Sequence, residues 1–443
     1  MARQTVLRRV PFVEVPVSPE LEAGIRRIFG EPLTPEQVVA HILRDVRTRG
    51  DAALREYAER IDGSKLDDIE VPPAELDAAY DGLDPKLRSA LEVAAGQVLE
   101  FHKRQHKDSW THRTSAGAVG QMVRPLQRVG LYAPGGRAIY PSTVIIAAVP
   151  AKVAGVEEIV VCSPAGESGH VSPLILAACK LCGVDRVYAL GGAQAIAAMA
   201  YGTETVTRVD KIVGPGNLFV VLAKRQVFGA VDIDQLPGPT EALVVADAKA
   251  DPASVAVDLL AQAEHDALAS PVLITPSREL ADQVNAEIEQ LLKRLSRREI
   301  IEASMARNGG IVLTSSVEEA IDLANEYAPE HMCLLLDDAW KQLDRVRNAG
   351  GVFVGEACAE ALGDYVVGPS HIMPTGGTAR FSSALNVWDF VKIISVFGLN
   401  QQGVEALAPA AIVLAEAEGF TAHAAAIQLR LDRNSKFKIQ NSK

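Results

Sequence analysis

Apolar positions recur at helical spacing through residues 34–110. TPEQVVAHILRDVRTRG opens with Thr34, Pro35 and Glu36, a cap followed by proline in the first turn, and closes on Gly50, so a capped helix is predicted. Residues 84–107 form a second long amphipathic run. From about residue 129 to 234 the texture changes to short apolar strands alternating with helical segments: RVGLYAP, EEIVVCSP, the helix VSPLILAACKLCG, RVYAL, the helix AQAIAAMAYG, then RVDKIVGPGN. This alternation predicts a parallel sheet with crossover helices. A second alternation follows, with ALVVAD, VLIT, GIVLT, HMCLLL and GVFVG as strands and residues 251–265, 277–294 and 316–327 as helices. The expected fold class is α/β: two lobes, preceded by a helical N-terminal region. The stretch after residue 383 reads as strand-poor. The tail, residues 386–443, reads as helix-rich with a basic end, RLDRNSKFKIQNSK, partly disordered or an arm.

Composition narrows the class. A chain of 443 residues exceeds one hydrophobic core, and 48% hydrophobic with 23% charged residues is ordinary for a folded globular protein. The balance of 44 Lys+Arg against 56 Asp+Glu, net −12, repels polyanions and excludes a nucleic-acid or anionic-membrane partner. The longest apolar region, residues 144–161, is broken by Pro150, Lys152, Gly155 and two glutamates, so no membrane span is expected. MARQTVLRRVPFVEV lacks the continuous apolar stretch of a secretory signal, which places the protein in the cytoplasm. Five cysteines suit reduced thiols, and the Cys179/Cys182 pair lies in an apolar helical pattern that reads as core packing.

The usual GxGxxG dinucleotide fingerprint is absent. In its place stand glycine turns at strand ends: Tyr132-Ala133-Pro134-Gly135-Gly136, Gly191-Gly192-Ala193-Gln194 and Gly214-Pro215-Gly216-Asn217. Together, at successive strand ends of one lobe, they favour a nucleotide cleft. The second lobe offers Gln262 and His265, three apart on a helical pattern, then Glu330 with His331, Asp364 with Tyr365 and His371, and, in the tail, Glu418 with His423. Burying such groups is costly unless they pair or hold a cation, and a mixed set of Gln, His, Asp and His suits Zn²⁺ with room for substrate. Adjacent residues in an extended segment point to opposite faces, so Glu330 and His331 need a turn to share one site. His41, His102, His106 and His112 are expected to be solvated. These residues alone leave open a zinc hydrolase with Glu330 as base, or a non-catalytic metal or nucleotide binder.

GLYAPGGRAIYPS, GGAQAIAA, VGPGN, LLAQAEHD, NEYAPEH, ALGDYVVGPSHIMPTGGTARFSS and EGFTAHA occur in order, and with them the chain resembles the histidinol dehydrogenase family over about residues 47–430. The resemblance implies NAD-dependent oxidation of L-histidinol through L-histidinal to L-histidine, the last steps of histidine biosynthesis. It implies zinc ligands at Gln262, His265, Asp364 and His423, with His423 supplied by the other subunit of an intertwined homodimer. His331 would be the base and Glu330 would activate water; Thr240, Tyr365, His371 and Glu418 would contact substrate, as would His331 and the zinc ligands, and Tyr132, Gln194 and Asn217 would contact NAD. Two incomplete, aldehyde-dehydrogenase-like Rossmann lobes are implied. The expected division is an N-terminal arm (1–33), a zinc and substrate lobe with helical scaffold (34–128 plus 236–385), an NAD lobe (129–235) and a helical arm reaching the partner (386–443). Thr240 and Ser370 stand where the family usually has serine and asparagine, and relatives that oxidise other small alcohols, such as sulfonated diols, share the scaffold.

Overall fold

The computed structural model describes residues 18–135, 139–166 and 169–440, with side chains to residue 432. Residues 1–17 of the expected arm and Gly136 of the first glycine turn lie outside the described residues. Strands β1 (Trp110–Thr114) and β2 (Gly117–Pro125) form an antiparallel hairpin. Next come β3 (Arg128–Tyr132), β4 (Glu158–Cys162), β5 (Arg186–Tyr188), β6 (Lys211–Val213) and β7 (Asp232–Ile233), then β8 (Glu241–Ala246), β9 (Ser270–Thr275), β10 (Gly310–Leu313), β11 (His331–Leu335) and β12 (Gly351–Val354). The last strand, β13 (Val391–Leu399), pairs antiparallel with β2.

Two parallel five-stranded sheets result, ordered β5-β4-β3-β6-β7 and β10-β9-β8-β11-β12. Each starts in the middle, steps outward twice, then reverses: the six-stranded dinucleotide-binding order with its last strand missing. Helices cover both faces, which is why β4 and β8 read as unbroken apolar runs rather than alternating ones. In the second sheet Val244, Leu273 and Cys333 pack into one core, while Leu243, Ile274, Met332 and Leu334 pack into another on the opposite face.

The first helix read from the pattern runs Pro35–Arg49, closed by a reciprocal cap between Thr34 and Gln37, and ends at Gly50. Helix Pro85–His102 starts at the cap Asp84 and gives way to a short 3-10 turn. These helices and Pro73–Asp81 pack against helices Gly192–Tyr201, Leu218–Val227, Pro141–Ala154 and Pro173–Leu181, all belonging to the first sheet. The helical scaffold therefore lies on the first lobe, not with residues 236–385 as expected. Amphipathic spacing shows that Val38, Ile42 and Val46 face inward, but not which sheet receives them. His102, expected to be solvated, is buried at 0% exposure, its Nδ1 2.8 Å from the Val98 carbonyl.

Residues His106–Pro125 and the chain from Val391 onward form a separate compact unit of β1, β2, β13 and helices Gln401–Ala417 and Thr421–Gln440. The strand-poor expectation after residue 383 is thus corrected by a nine-residue strand. VKIISVFGL lacks the polar alternation of a half-buried strand, and it is mostly exposed. No described helix is long and apolar enough to cross a membrane.

Candidate active site

The glycine turns fall at the carboxyl ends of β3, β5 and β6. Tyr132 ends β3 and its hydroxyl accepts the Gly192 N–H at 3.0 Å. Gln194 is 1% exposed; its Nε2 donates to Asp62 Oδ2 at 3.0 Å, and its Oε1 has no partner. Asn217 caps helix Leu218–Val227, its Oδ1 accepting from Phe219 and Val220 N–H at 3.0 and 3.2 Å, which leaves its amide nitrogen for a ligand. Gly214 has φ +115, and a Cβ there would lie 2.3 Å from the Tyr132 carbonyl oxygen, so glycine lets these strand ends close together.

That loop is anchored from below. Lys224, fully buried, donates to the Gly214 carbonyl at 2.9 Å and pairs with Asp234, which in turn accepts the Gly214 N–H at 2.8 Å. Removing one partner of a buried pair strands the other charge, at a cost of about 3–5 kcal/mol. Lys224→Met is therefore expected to lower the unfolding free energy by that order in a urea titration, and a loss below ~1 kcal/mol would contradict the anchor.

The second constellation sits at the opposite end of its sheet, the amino ends of β8 and β11. Ala328, with φ 52, is the one non-glycine residue of positive φ among the described residues. This left-handed turn, followed by Pro329, supplies the bend that an extended segment lacks, and the Glu330 and His331 side chains come within 3.7 Å. Thr240 Oγ1 donates to Glu330 Oε2 at 2.6 Å and the Glu241 N–H reaches the same oxygen at 3.1 Å. Burial pushes the Glu330 carboxyl up to about 8. His331 Nδ1 lies 3.2 Å from the Glu241 carbonyl, which can only accept, so Nδ1 carries the proton and Nε2 the lone pair. Nε2 is buried without a partner, and burial drives the ring down to about 3, keeping it neutral.

Around this pair stand Gln262, Asp364 and His371. Gln262 is 1% exposed and lies 3.5 Å from His331 Nδ1; oriented to suit its neighbours, its Nε2 donates to Glu360 Oε1 at 2.5 Å and its oxygen meets the Glu241 N–H at 3.3 Å. Asp364 Oδ1 is 3.9 Å from His331 Nε2, and burial raises its carboxyl to about 6. His371 donates from Nδ1 to the Asp364 carbonyl at 2.7 Å and takes the Thr143 hydroxyl at 3.4 Å, joining this site to the helix after β3. His265 does not share a helical face with Gln262: the helix ends at Ala263 and His265 follows its cap, exposed. Tyr365 is 62% exposed. Glu418 and His423 lie in the separate unit. Among the described residues no three His, Cys, Asp or Glu side chains are gathered as a metal cluster.

The histidinol dehydrogenase family model matches residues 31–431. The chain is 54% identical to histidinol dehydrogenase of Deinococcus radiodurans over 95% of this chain and 96% of that one, and 48% identical to that of Dehalococcoides mccartyi over 90% and 91%. The crystal structure of histidinol dehydrogenase from Elizabethkingia anophelis superimposes with TM-score 0.87 at 36% identity, covering 91% of this chain and 93% of that one. The chain belongs to the histidinol dehydrogenase family. Its activity is that of an NAD-dependent oxidoreductase, and the hydrolase alternative falls away.

In a histidinol dehydrogenase the thiols could have suggested aldehyde capture. Here all five cysteines are free, and burial raises Cys162 and Cys333 well above the ordinary thiol range, so neither is an activated nucleophile. Cys179 and Cys182 are likewise buried, the latter pushed up to about 12. Two site residues escaped sequence reasoning. Glu360, 2% exposed and 3.6 Å from His331 Nδ1, stands four residues before Asp364 on one short helix, a spacing that could have found it. Asp62 lies in a distant single turn with no motif.

Proposed function

We propose that this histidinol dehydrogenase oxidises L-histidinol twice, with His331 as the base, Glu330 activating water and a zinc site built from Gln262, His265, Asp364 and His423. The observation that carries the assignment is the unpartnered, buried Nε2 of His331. A neutral imidazole with its other nitrogen held by a backbone carbonyl can take an alcohol proton while NAD accepts the hydride from carbon. In the second round the aldehyde must be hydrated before another hydride leaves. Glu330, gripped at Oε2 by Thr240 and the Glu241 amide, has Oε1 for that water. Thr240 thus keeps the hydroxyl that serine would supply.

Zinc fits the donor chemistry. Glu330 and Glu360 are buried and Asp364 half-buried around His331, and among the described residues no Lys or Arg pairs with them, so a cation would be stabilised there. When bound, zinc would fix the substrate's amine and imidazole and position the carbinol carbon against the nicotinamide. Tyr365, His371 and Glu418 would complete the substrate pocket, and Tyr132, Gln194 and Asn217 the nucleotide site. Five free cysteines suit a reducing compartment such as the cytoplasm. The homodimer reading is supported by the separate unit, where Phe397, Val413, Leu414, Phe420 and Leu429 are 51–86% exposed while its buried residues are mainly glycine and alanine.

Zinc-loaded protein is expected to release two NADH per L-histidinol consumed, followed by absorbance. Asp364→Ala and His265→Ala should lose bound zinc and NADH formation together, whereas His41→Ala, His106→Ala and His112→Ala keep both. Elemental analysis of a metal-free yet fully active Asp364→Ala protein would remove the zinc assignment.

A further inference from the structure

In dinucleotide-binding sheets of this strand order an acidic residue at the carboxyl end of the second strand accepts the hydroxyls of the adenosine ribose. The second strand here is β4, and it ends in Cys162-Ser163-Pro164-Ala165, with no acid. A carboxylate reaches that place from elsewhere in the chain. After helix Asp51–Tyr57 the backbone makes one wide turn, Ala58–Asp62, closed by Gly63 in the left-handed region. Ser64, 1% exposed, then donates to the carbonyls of Ala165 and Gly166, the continuation of β4. Residues 69–71 run on beside β5, where the Val71 N–H donates to the Val187 carbonyl and the Ala189 N–H to the Ile69 carbonyl, each at 2.8 Å. The segment that follows Asp62 is thus pinned to the ends of β4 and β5.

Asp62 arrives among the nucleotide-site residues. Its Oδ2 accepts from Gln194 Nε2 at 3.0 Å and would lie 3.4 Å from a Cβ at Gly191, a position also crowded by Pro164. Among the described residues the Gln194 amide has no other polar partner, so its one hydrogen bond aims the carboxylate. Asp62 itself is only half-buried, whereas Gln194 beneath it is buried.

We propose that Asp62 is a cofactor-binding residue that replaces the missing acid of β4, its carboxylate accepting the 2′ and 3′ hydroxyls of the adenosine ribose of NAD and rejecting a 2′-phosphate. The proposal rests on the nucleotide site lying at Tyr132 and Gln194. A diol donates two hydrogen bonds to a carboxylate, while a phosphate at the same position brings like charge and no donor.

Three measurements on the zinc-loaded enzyme test it. The unmodified protein is expected to bind 2′-deoxyadenosine NAD about tenfold more weakly than NAD, a difference of ~1.4 kcal/mol. In Asp62→Asn the kcat/KM ratio of NAD over NADP should fall about tenfold or more, with zinc content and the KM for histidinol unchanged, and the penalty for the deoxy analogue should shrink. Gln194→Ala separates the two layers. If it leaves NAD affinity intact, the nucleotide site lies elsewhere and the underlying reading fails. If Gln194→Ala weakens NAD but the unmodified enzyme binds NAD and the deoxy analogue equally, Asp62 has no ribose role, and this holds even if Asp62→Asn does not fold.

Discussion

His331→Asn is expected to lower kcat for both oxidations by about 10²–10⁴, the usual worth of a positioned general base, while Glu330→Gln spares the first oxidation and cripples the second. The asymmetry follows from the hydrogen bonds. His331 donates Nδ1–H to the Glu241 carbonyl at 3.2 Å, so Nε2 is its one basic atom, and under the proposed mechanism protons leaving an alcohol or hydrate oxygen go there. Asparagine can restore the contact to the carbonyl but offers no basic nitrogen. Glu330 is different: glutamine is close to isosteric and can still accept from Thr240, so the frame of the site survives and only proton capacity is lost. Hydration of the aldehyde is the step that needs this capacity. L-histidinol and L-histidinal supplied as separate substrates, each followed by NADH formation, divide the two. An equal loss on both substrates in Glu330→Gln would sink the assignment of water activation to this carboxyl.

Much of the framework was legible because it is written in local signals. Thr34, Pro35 and Gly50 announce a helix and its ends, and the apolar runs before Tyr132 and Cys162 announce buried parallel strands. What local pattern could not carry was partnership. The helices of residues 35–102 show an inward face without naming the sheet they cover, and β13 hides in an apolar stretch whose partner, β2, is more than 250 residues earlier in the chain. The site divides in the same way. Glu330 and His331 were conspicuous as a polar pair in an apolar setting, but their ability to act together depends on Ala328 at φ 52, a conformation nothing in NEYAPEH advertises. Gln262 and His265 suggested one helical face, yet the helix stops between them. Asp62 was invisible, since a single carboxylate in a turn has no periodicity and no motif, and only the pairing of Ser64 and residues 69–71 with the sheet brings it to Gln194.

Mixing inactive His423→Ala with inactive His265→Ala under conditions that exchange subunits is expected to restore activity to about half of the native value per heterodimer, by two-fold symmetry. The reasoning starts from the composition of the separate unit. Glu418 caps the end of helix Gln401–Ala417, Gly419 follows it, and His423 lies in the first turn of helix Thr421–Gln440; among the described residues neither Glu418 nor His423 has an ion-pair partner. The same unit exposes Phe397 at 86%, Val413 at 64% and Leu414 at 63%, an apolar surface of the kind that marks an interaction face. Covering that surface with a second copy would remove it from water and would give the polar segment at residues 418–423 a site to serve. If His423 completes the partner's zinc site, one site of the mixed dimer carries both lesions and the other carries neither. If His423 serves its own chain, each site of the mixed dimer carries one lesion and no activity returns. Native mass spectrometry establishes that exchange has occurred, and NADH formation then decides between the two arrangements.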